Sequence, residues 1–380
     1  MRGGLLALTI GGCAPLPEVQ YETDRLQIAP SFDDPICEGT LLTLDEHLQE
    51  VKRGLGEVGP RDPFRLYWLR DDIEDYCGDA RDGCFFPATR LMFARGRSIT
   101  HEMTHAVLDS EGESYFLEEG MAELLSGVGV YYDVSDDLTG PGERLRLSRS
   151  RYRAGELDYD AAAHFMRYIY DHRGVDGVRR LASEVERGAS PEALEQTLEQ
   201  VMGKDIDEVE ADYRRDSHPI YEGLSYGRVG SMNLQEIDED PERRGPEWLH
   251  LSVEAELDCL AEDTMGPLPS ERAGMYQVRR VFIPENRGAR LRVEGDPGTW
   301  VEIFNPYARA HRGVMTDWMF PDSGLDRGAI RLGPQQQVEV ALSPGTRAIM
   351  LGADGTASGR VVLHVDLATP PPPPDPTQTI

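Results

Sequence analysis

The chain has 380 residues, room for two domains. Its 39% hydrophobic residues can build globular cores, while 28% charged residues leave a polar surface. A formal net charge of −29 argues against nucleic acid as a partner, because phosphate binding needs clustered cations, and against a basic membrane-binding face.

The first residues read as a processing signal. Arg2 is followed by the short apolar run Leu5-Leu6-Ala7-Leu8-Thr9-Ile10 and then Gly11-Gly12-Cys13. This pattern resembles a bacterial lipoprotein signal, with Cys13 as the lipidated residue, so residues 1–22 are expected to be signal and tether. No other segment approaches the apolar length that spans a bilayer. The expected location is therefore exported and lipid-anchored at the bacterial outer membrane or cell surface, with the body in the periplasm or outside. Residues 15–35 read as an extended tether.

Leu44, Leu48, Val51 and Leu55 have helical spacing and predict a helix over 41–58. The aromatic-rich run 64–69 and the run 90–94 predict strands. Ser98 is the expected N-cap of a helix that buries Ile99, Met103, Ala106 and Val107. Further helices are expected over 114–126, over 159–173 with its stop at Gly174, from Ser190-Pro191 to Met202, and over 205–215. The charged, turn-rich stretch 233–249 reads as an acidic linker. Beyond it, short runs at 278–283, 290–293, 300–304, 337–342, 347–351 and 360–365 predict an antiparallel β-sandwich over 250–368. Residues 369–380 form a proline-rich tail that is expected to stay unfolded.

Setting Cys13 aside leaves Cys37, Cys77, Cys84 and Cys259, an even number that suggests disulfides in an exported protein. Cys77 and Cys84 flank a short Gly/Asp/Arg-rich loop and are the expected pair, which leaves Cys37 for Cys259. None of the cysteines has the close spacing of a zinc-thiolate knuckle.

The chemistry-bearing segment is His101-Glu102-Met103-Thr104-His105. On a helix, residues four apart stack on one face, so both imidazoles reach one metal ion. Glu102 then stands beside the open coordination position as a general base, taking a proton from the attacking water and later giving it to the leaving amine. The implied cofactor is Zn2+. Histidine is scarce, 9 residues in 380, so chance spacing is a poor explanation of the motif. A catalytic zinc needs a third protein ligand.

The next predicted helix carries Tyr115-Phe116-Leu117-Glu118-Glu119-Gly120-Met121-Ala122-Glu123. Together with the His101–His105 motif this segment resembles the gluzincin metallopeptidases, the short peptidases with an aminopeptidase-like zinc core. The resemblance covers residues 60 to 216 and stops short of the C-terminal part. It implies a zincin-like catalytic domain over 23–232, with Glu119 completing the zinc shell. Glu118 and Glu111 are the competing ligands. Glu123, one turn after Glu119, is placed to orient a ligating histidine. The resemblance also makes Tyr159 a candidate for hydrogen bonding to the oxyanion; the plainer reading is an aromatic residue packed at a helix start. His164 reads as a structural or surface histidine rather than a fourth ligand. The metzincin pattern is disfavoured, since its later Gly and His positions hold Leu108 and Glu111. No substrate-aligning edge motif stands out ahead of Ser98.

The expected class is α+β: a zincin-like domain followed by a β-sandwich. The expected function is zinc-dependent hydrolysis of peptide or protein substrates. The rivals are an inactive surface binding protein on the same scaffold, whose β-domain recognises a partner, and a zinc hydrolase acting on a non-peptide amide.

Overall fold

The computed structural model describes residues 16–56, 63–71, 73–78, 82–109, 115–126, 131–133, 159–186, 189–218, 220–222, 234–235, 248–268, 273–283, 287–304, 330–342, 345–355 and 357–368. Cys13, Glu111 and the proline-rich tail lie outside them.

The N-terminal half begins with β1 (Tyr21–Glu22) and β2 (Leu26–Pro30), followed by α1 (Glu38–Leu55), β3 (Phe64–Trp68), α2 (Ile73–Cys77), β4 (Gly83–Phe86) and β5 (Leu91–Ala94). The strands form one sheet in the order β1-β2-β3-β5-β4. β2, β3 and β5 run parallel, and β4 is antiparallel to β5. Residues 15–35 are thus no simple tether: Leu26, Ile28 and Ala29 are fully buried, and β2 is an inner strand. Its two polar neighbours and its short length hid that role in the sequence.

Five helices follow among the described residues: α3 (Ile99–Leu108), α4 (Tyr115–Leu125), α5 (Tyr159–Glu186), α6 (Pro191–Met202) and α7 (Ile206–Asp216). Gly174 leaves helical geometry at φ 63°, as its position as a helix stop predicts, yet the chain resumes a second helical stretch beyond it within α5. Val178, Leu181, Ala182 and Val185 of that stretch are buried, so packing pulls it back into helix. Ser190 and Asp205 cap α6 and α7, accepting bonds from Ala193 N–H at 3.4 Å and Glu208 N–H at 2.9 Å. The short strands β6 (Tyr131–Asp133) and β7 (Ile220–Glu222) pair antiparallel.

The remaining strands are β8 (Leu234–Gln235), β9 (Trp248–Leu257), β10 (Gly274–Ile283), β11 (Arg287–Gly295), β12 (Thr299–Phe304), β13 (Ile330–Leu332), β14 (Gln337–Leu342), β15 (Gly345–Asp354) and β16 (Gly359–Ala368). They make two sheets, β13-β12-β15-β10-β8 and β14-β11-β16-β9. All pairings in them are antiparallel except that of β8 with β10. Val253, Leu291, Val293, Leu363 and Val365 of one sheet meet Val281, Val301, Ile349 and Leu351 of the other in a hydrophobic core. The chain is therefore a mixed α+β protein. β8 falls inside the stretch expected to be linker, where it joins the sheet edge, and β9 starts before residue 250.

The β13-β12-β15-β10-β8 sheet also buries residues of its outer face. Tyr276, Val278, Trp300, Ala348 and Met350 belong to the same hydrophobic core as α1, α3 and α4. At the join, α1 has no side-chain cap. Its first N–H groups, which lack intrahelical partners, instead donate to carbonyls of the C-terminal half: Cys37 to Gly266 at 3.1 Å, Glu38 to Cys259 at 2.9 Å and Gly39 to Thr264 at 3.1 Å. Thr40 and Gly266 exchange two further hydrogen bonds at 3.0 Å. Cys37 is disulfide-bonded to Cys259, 222 residues away, and Cys77 to Cys84. Among the described residues no helix is long and apolar enough to cross a membrane.

The Cys37–Cys259 bridge locks a helix start to its distant cap. Replacing both cysteines by serine should cost roughly 2–5 kcal/mol of unfolding free energy, since the bridge closes a very long loop. Denaturant unfolding of the oxidised protein and the double variant measures it; equal midpoints would show that the join holds without the bridge.

Candidate metal centre

The site is assembled by α3, α4 and the start of α5. Apolar spacing fixes how α3 lies: Ile99, Met103, Ala106 and Val107 are fully buried, which turns the opposite face, with His101 and His105, toward α4. On its other side α3 packs on α1, where His47 lies against the Thr100 backbone. Burial lowers the His47 pKa to about 4, against that hydrogen bond, so the residue is neutral and the contact adds no charge behind the site.

Gly120 determines how α4 lies. A Cβ there would come within 2.6 Å of the Ala162 carbonyl oxygen and 2.8 Å of Met166 Cγ on α5, so only glycine permits this crossing. With that close approach, Glu119 and Glu123, one turn apart on α4, share the face directed at α3. Glu119 Oε2 lies 3.0 Å from His101 Nε2 and 3.2 Å from His105 Nε2, and the two Nε2 atoms are 3.1 Å apart. Ligands bound at 2.0–2.1 Å around a tetrahedral zinc are about 3.3 Å apart, so this triangle fits the ion with shifts of a few tenths of an ångström. His101, His105 and Glu119 form the group of potential metal ligands found among the described residues. Glu118 is buried as well but is not part of it.

Glu123 Oε1 sits 3.1 Å from His101 Nδ1, the ring nitrogen turned away from the triangle. A proton on Nδ1 bonded to that carboxylate leaves the Nε2 lone pair facing the ligand point. The donor set is also electrostatically tuned for a cation. Burial alone would depress the His101 pKa, but Glu123 and Glu119 outweigh it and raise it well above the usual value. His105 is raised as well, burial being overcome by Glu119. Burial would raise the Glu119 carboxyl, yet His105 and His101 hold it down at about 2. Positive charge is thus favoured at the centre of the triangle, where a metal ion competes with protons.

Glu102 behaves differently. Burial raises its pKa to about 7 against the opposing effect of His101 and His105, with Glu119 and Asp82 adding to the rise. A carboxyl titrating near neutrality suits a group that takes and returns protons. The side chain lies against Gly83 of β4. Sequence reasoning missed that contact; the only signal was the glycine between a charged turn and Cys84-Phe85-Phe86. Ser98 also departs from expectation. It sits at the N-cap position of α3 without capping, and its hydroxyl donates instead to the carbonyls of Asp82 and Arg95.

Tyr159, at the first position of α5, has its ring centroid 6.3 Å from that of His101, with the two ring planes tilted by 57°. His164 is remote in role: its ring bridges the Tyr213 hydroxyl and the His218 carbonyl, both at 2.7 Å, tying α5 to α7.

No protein-family model matches the chain, and no curated protein matches it. Among solved structures, the pre-peptidase C-terminal domain of a collagenase from Bacillus anthracis aligns with a TM-score of 0.19 and 13% identity, over 30% of this chain and 88% of that domain. A periplasmic inhibitor of g-type lysozyme from Aeromonas hydrophila aligns with a TM-score of 0.20 and 11% identity, over 32% of this chain and 88% of that one. Likenesses this slight carry no argument, and the reading of the site rests on its own residues.

Removing the Glu123 carboxylate should loosen the His101 ring without deleting a ligand. Glu123→Ala is expected to weaken zinc binding by about 10–100-fold, measured by competition with a chromophoric chelator. An affinity equal to that of the parent protein would show that the contact does not orient the ligand.

Proposed function

We propose that the chain is a zinc-dependent peptidase of gluzincin type. The observation that carries this reading is the convergence of His101 Nε2, His105 Nε2 and Glu119 Oε2 on one point, with the buried Glu102 between the two histidines on the same helix. The three-ligand set leaves a fourth position for water or substrate, as catalytic rather than structural zinc sites do.

His101, His105 and Glu119 would hold the ion, with Glu123 fixing the His101 ring. Zinc held there supplies Lewis acidity, lowering the pKa of a water toward neutrality and polarising a carbonyl. Glu102 takes the proton of the attacking water on its carboxylate and returns it to the departing amine. Tyr159, whose ring neighbours that of His101, is the candidate to donate a hydrogen bond to the oxygen that gains charge as the carbonyl is attacked. A peptide substrate is supported by β4, the last strand of its sheet among the described residues, since an extended chain can pair with a strand edge.

The two disulfides fit an oxidising, exported setting. Attachment through a lipid on Cys13 belongs to the same proposal and rests on the Gly11-Gly12-Cys13 pattern.

The chain from residue 16 onward, purified and exposed to micromolar zinc, should retain about one ion per molecule. His101→Ala should abolish that retention. Glu102→Gln should keep the zinc and lower the rate of casein hydrolysis by about 10²–10⁴-fold. A parent chain that holds no zinc would end the enzyme reading and leave a binding protein on this scaffold. A zinc-loaded chain that spares peptides but cleaves other amides would redirect the substrate class.

A further inference from the structure

The first residue of β4 stands directly on the Glu102 carboxylate. A Cβ built at Gly83 would lie 2.6 Å from Glu102 Oε1, 2.7 Å from its Cγ and 2.9 Å from its Cδ. These distances are shorter than a Cβ tolerates, and the three nearest atoms all belong to the Glu102 side chain. The bare Cα of Gly83 is therefore one wall of the space that the carboxylate occupies.

That wall is held from three directions. The carbonyl of Asp82, one residue earlier, accepts the Arg95 N–H at 2.8 Å and the Ser98 hydroxyl, both from the turn that leads into α3. Gly83 itself pairs with Ala94, and Cys84 with Phe93, in the β4–β5 ladder. Cys84 is also bridged to Cys77 on α2. The strand start thus cannot recede from α3 without breaking a ladder, two hydrogen bonds or a disulfide. A side chain at position 83 would have to displace the glutamate.

We propose that Gly83 is a positioning residue for Glu102: its missing side chain, held in place by the Ser98–Asp82 and Cys77–Cys84 ties, fixes where the general base stands. The catalytic consequence rests on the peptidase reading above; the steric contact does not. Gly83→Ala leaves the three ligand residues intact, so zinc stoichiometry stays at about one. The variant moves the base, so turnover falls while substrate affinity does not. With labelled casein, kcat should drop about tenfold or more and KM should change by less than about twofold.

A double-mutant cycle separates this contact from ordinary strain in the strand. Gly83→Ala and Glu102→Ala are made singly and together in the full chain, and thermal midpoints are measured with and without zinc. Gly83→Ala should lower the midpoint in the parent background and lower it by less than half as much once Glu102 is truncated, because the space is then free. If Gly83→Ala fails to fold alone, recovery of a folded double variant supports the proposal equally. An equal loss in both backgrounds, or a double variant that also fails to fold, overturns it. Inactivity of the parent chain toward casein, with the stability coupling intact, would count against the peptidase reading and leave the Gly83–Glu102 contact standing.

Discussion

The site depends on a backbone-to-backbone contact that holds no ligand. Where α4 crosses α5, Gly120 sits against the Ala162 carbonyl at a distance no side chain would permit. That crossing lets two glutamates one turn apart address the two nitrogens of one imidazole. Glu119 meets Nε2 at the ligand point, and Glu123 meets Nδ1 behind it. Burying three carboxylates of α4 is costly unless positive charge or hydrogen bonds compensate. At Glu119 and Glu123 the compensation comes from His101 and His105, whose raised pKa values express the same attraction. The cluster is stable as a unit and disposed to take a cation.

The C-terminal half does more than follow the helical half. Its segment around Cys259–Gly266 supplies the carbonyls that cap α1, and one face of its larger sheet completes the core behind α1 and α3. β15 shows the consequence in sequence terms. Ile349 and Leu351 point into the sandwich, while Ala348 and Met350 point toward the helices, so the strand is apolar on both faces. A chain of physical contacts therefore runs from the sandwich through α1 to α3, which carries His101 and His105.

Much of this was legible in the residues. The His101–His105 spacing, the helix over α3, the Ser190 start of α6 and the β14 strand all follow from local rules of periodicity and capping. The Cys77–Cys84 pair follows from spacing; Cys37–Cys259, the pairing that this leaves, spans 222 residues and is established by the fold alone. The features that sequence reasoning misjudged are those decided by distant partners. β2 is short, with Gln27 inside it and Arg25 and Ser31 at its ends, and only its burial between β1 and β3 reveals an inner strand. Ser98 has the right identity for a cap, but the Asp82 carbonyl claims its hydroxyl. Gly174 breaks the helix as expected, yet tertiary packing restores helix after it. The helix over 114–126 is expected from the chain itself, but Glu119 stands out on it through resemblance alone, and the reason for Gly120 emerges only from the α4–α5 crossing. β4 was invisible as a wall of the site because a glycine contributes by what it lacks.

The central claim is that two imidazoles and one carboxylate, without thiolate, gather around a zinc ion. X-ray absorption fine structure at the zinc edge of the metal-loaded protein tests it most directly. The account predicts a first shell of nitrogen and oxygen at about 2.0–2.1 Å, with the outer-shell scattering of two imidazole rings and no sulfur near about 2.3 Å. A sulfur shell, a single imidazole, or a fully hydrated ion would contradict it.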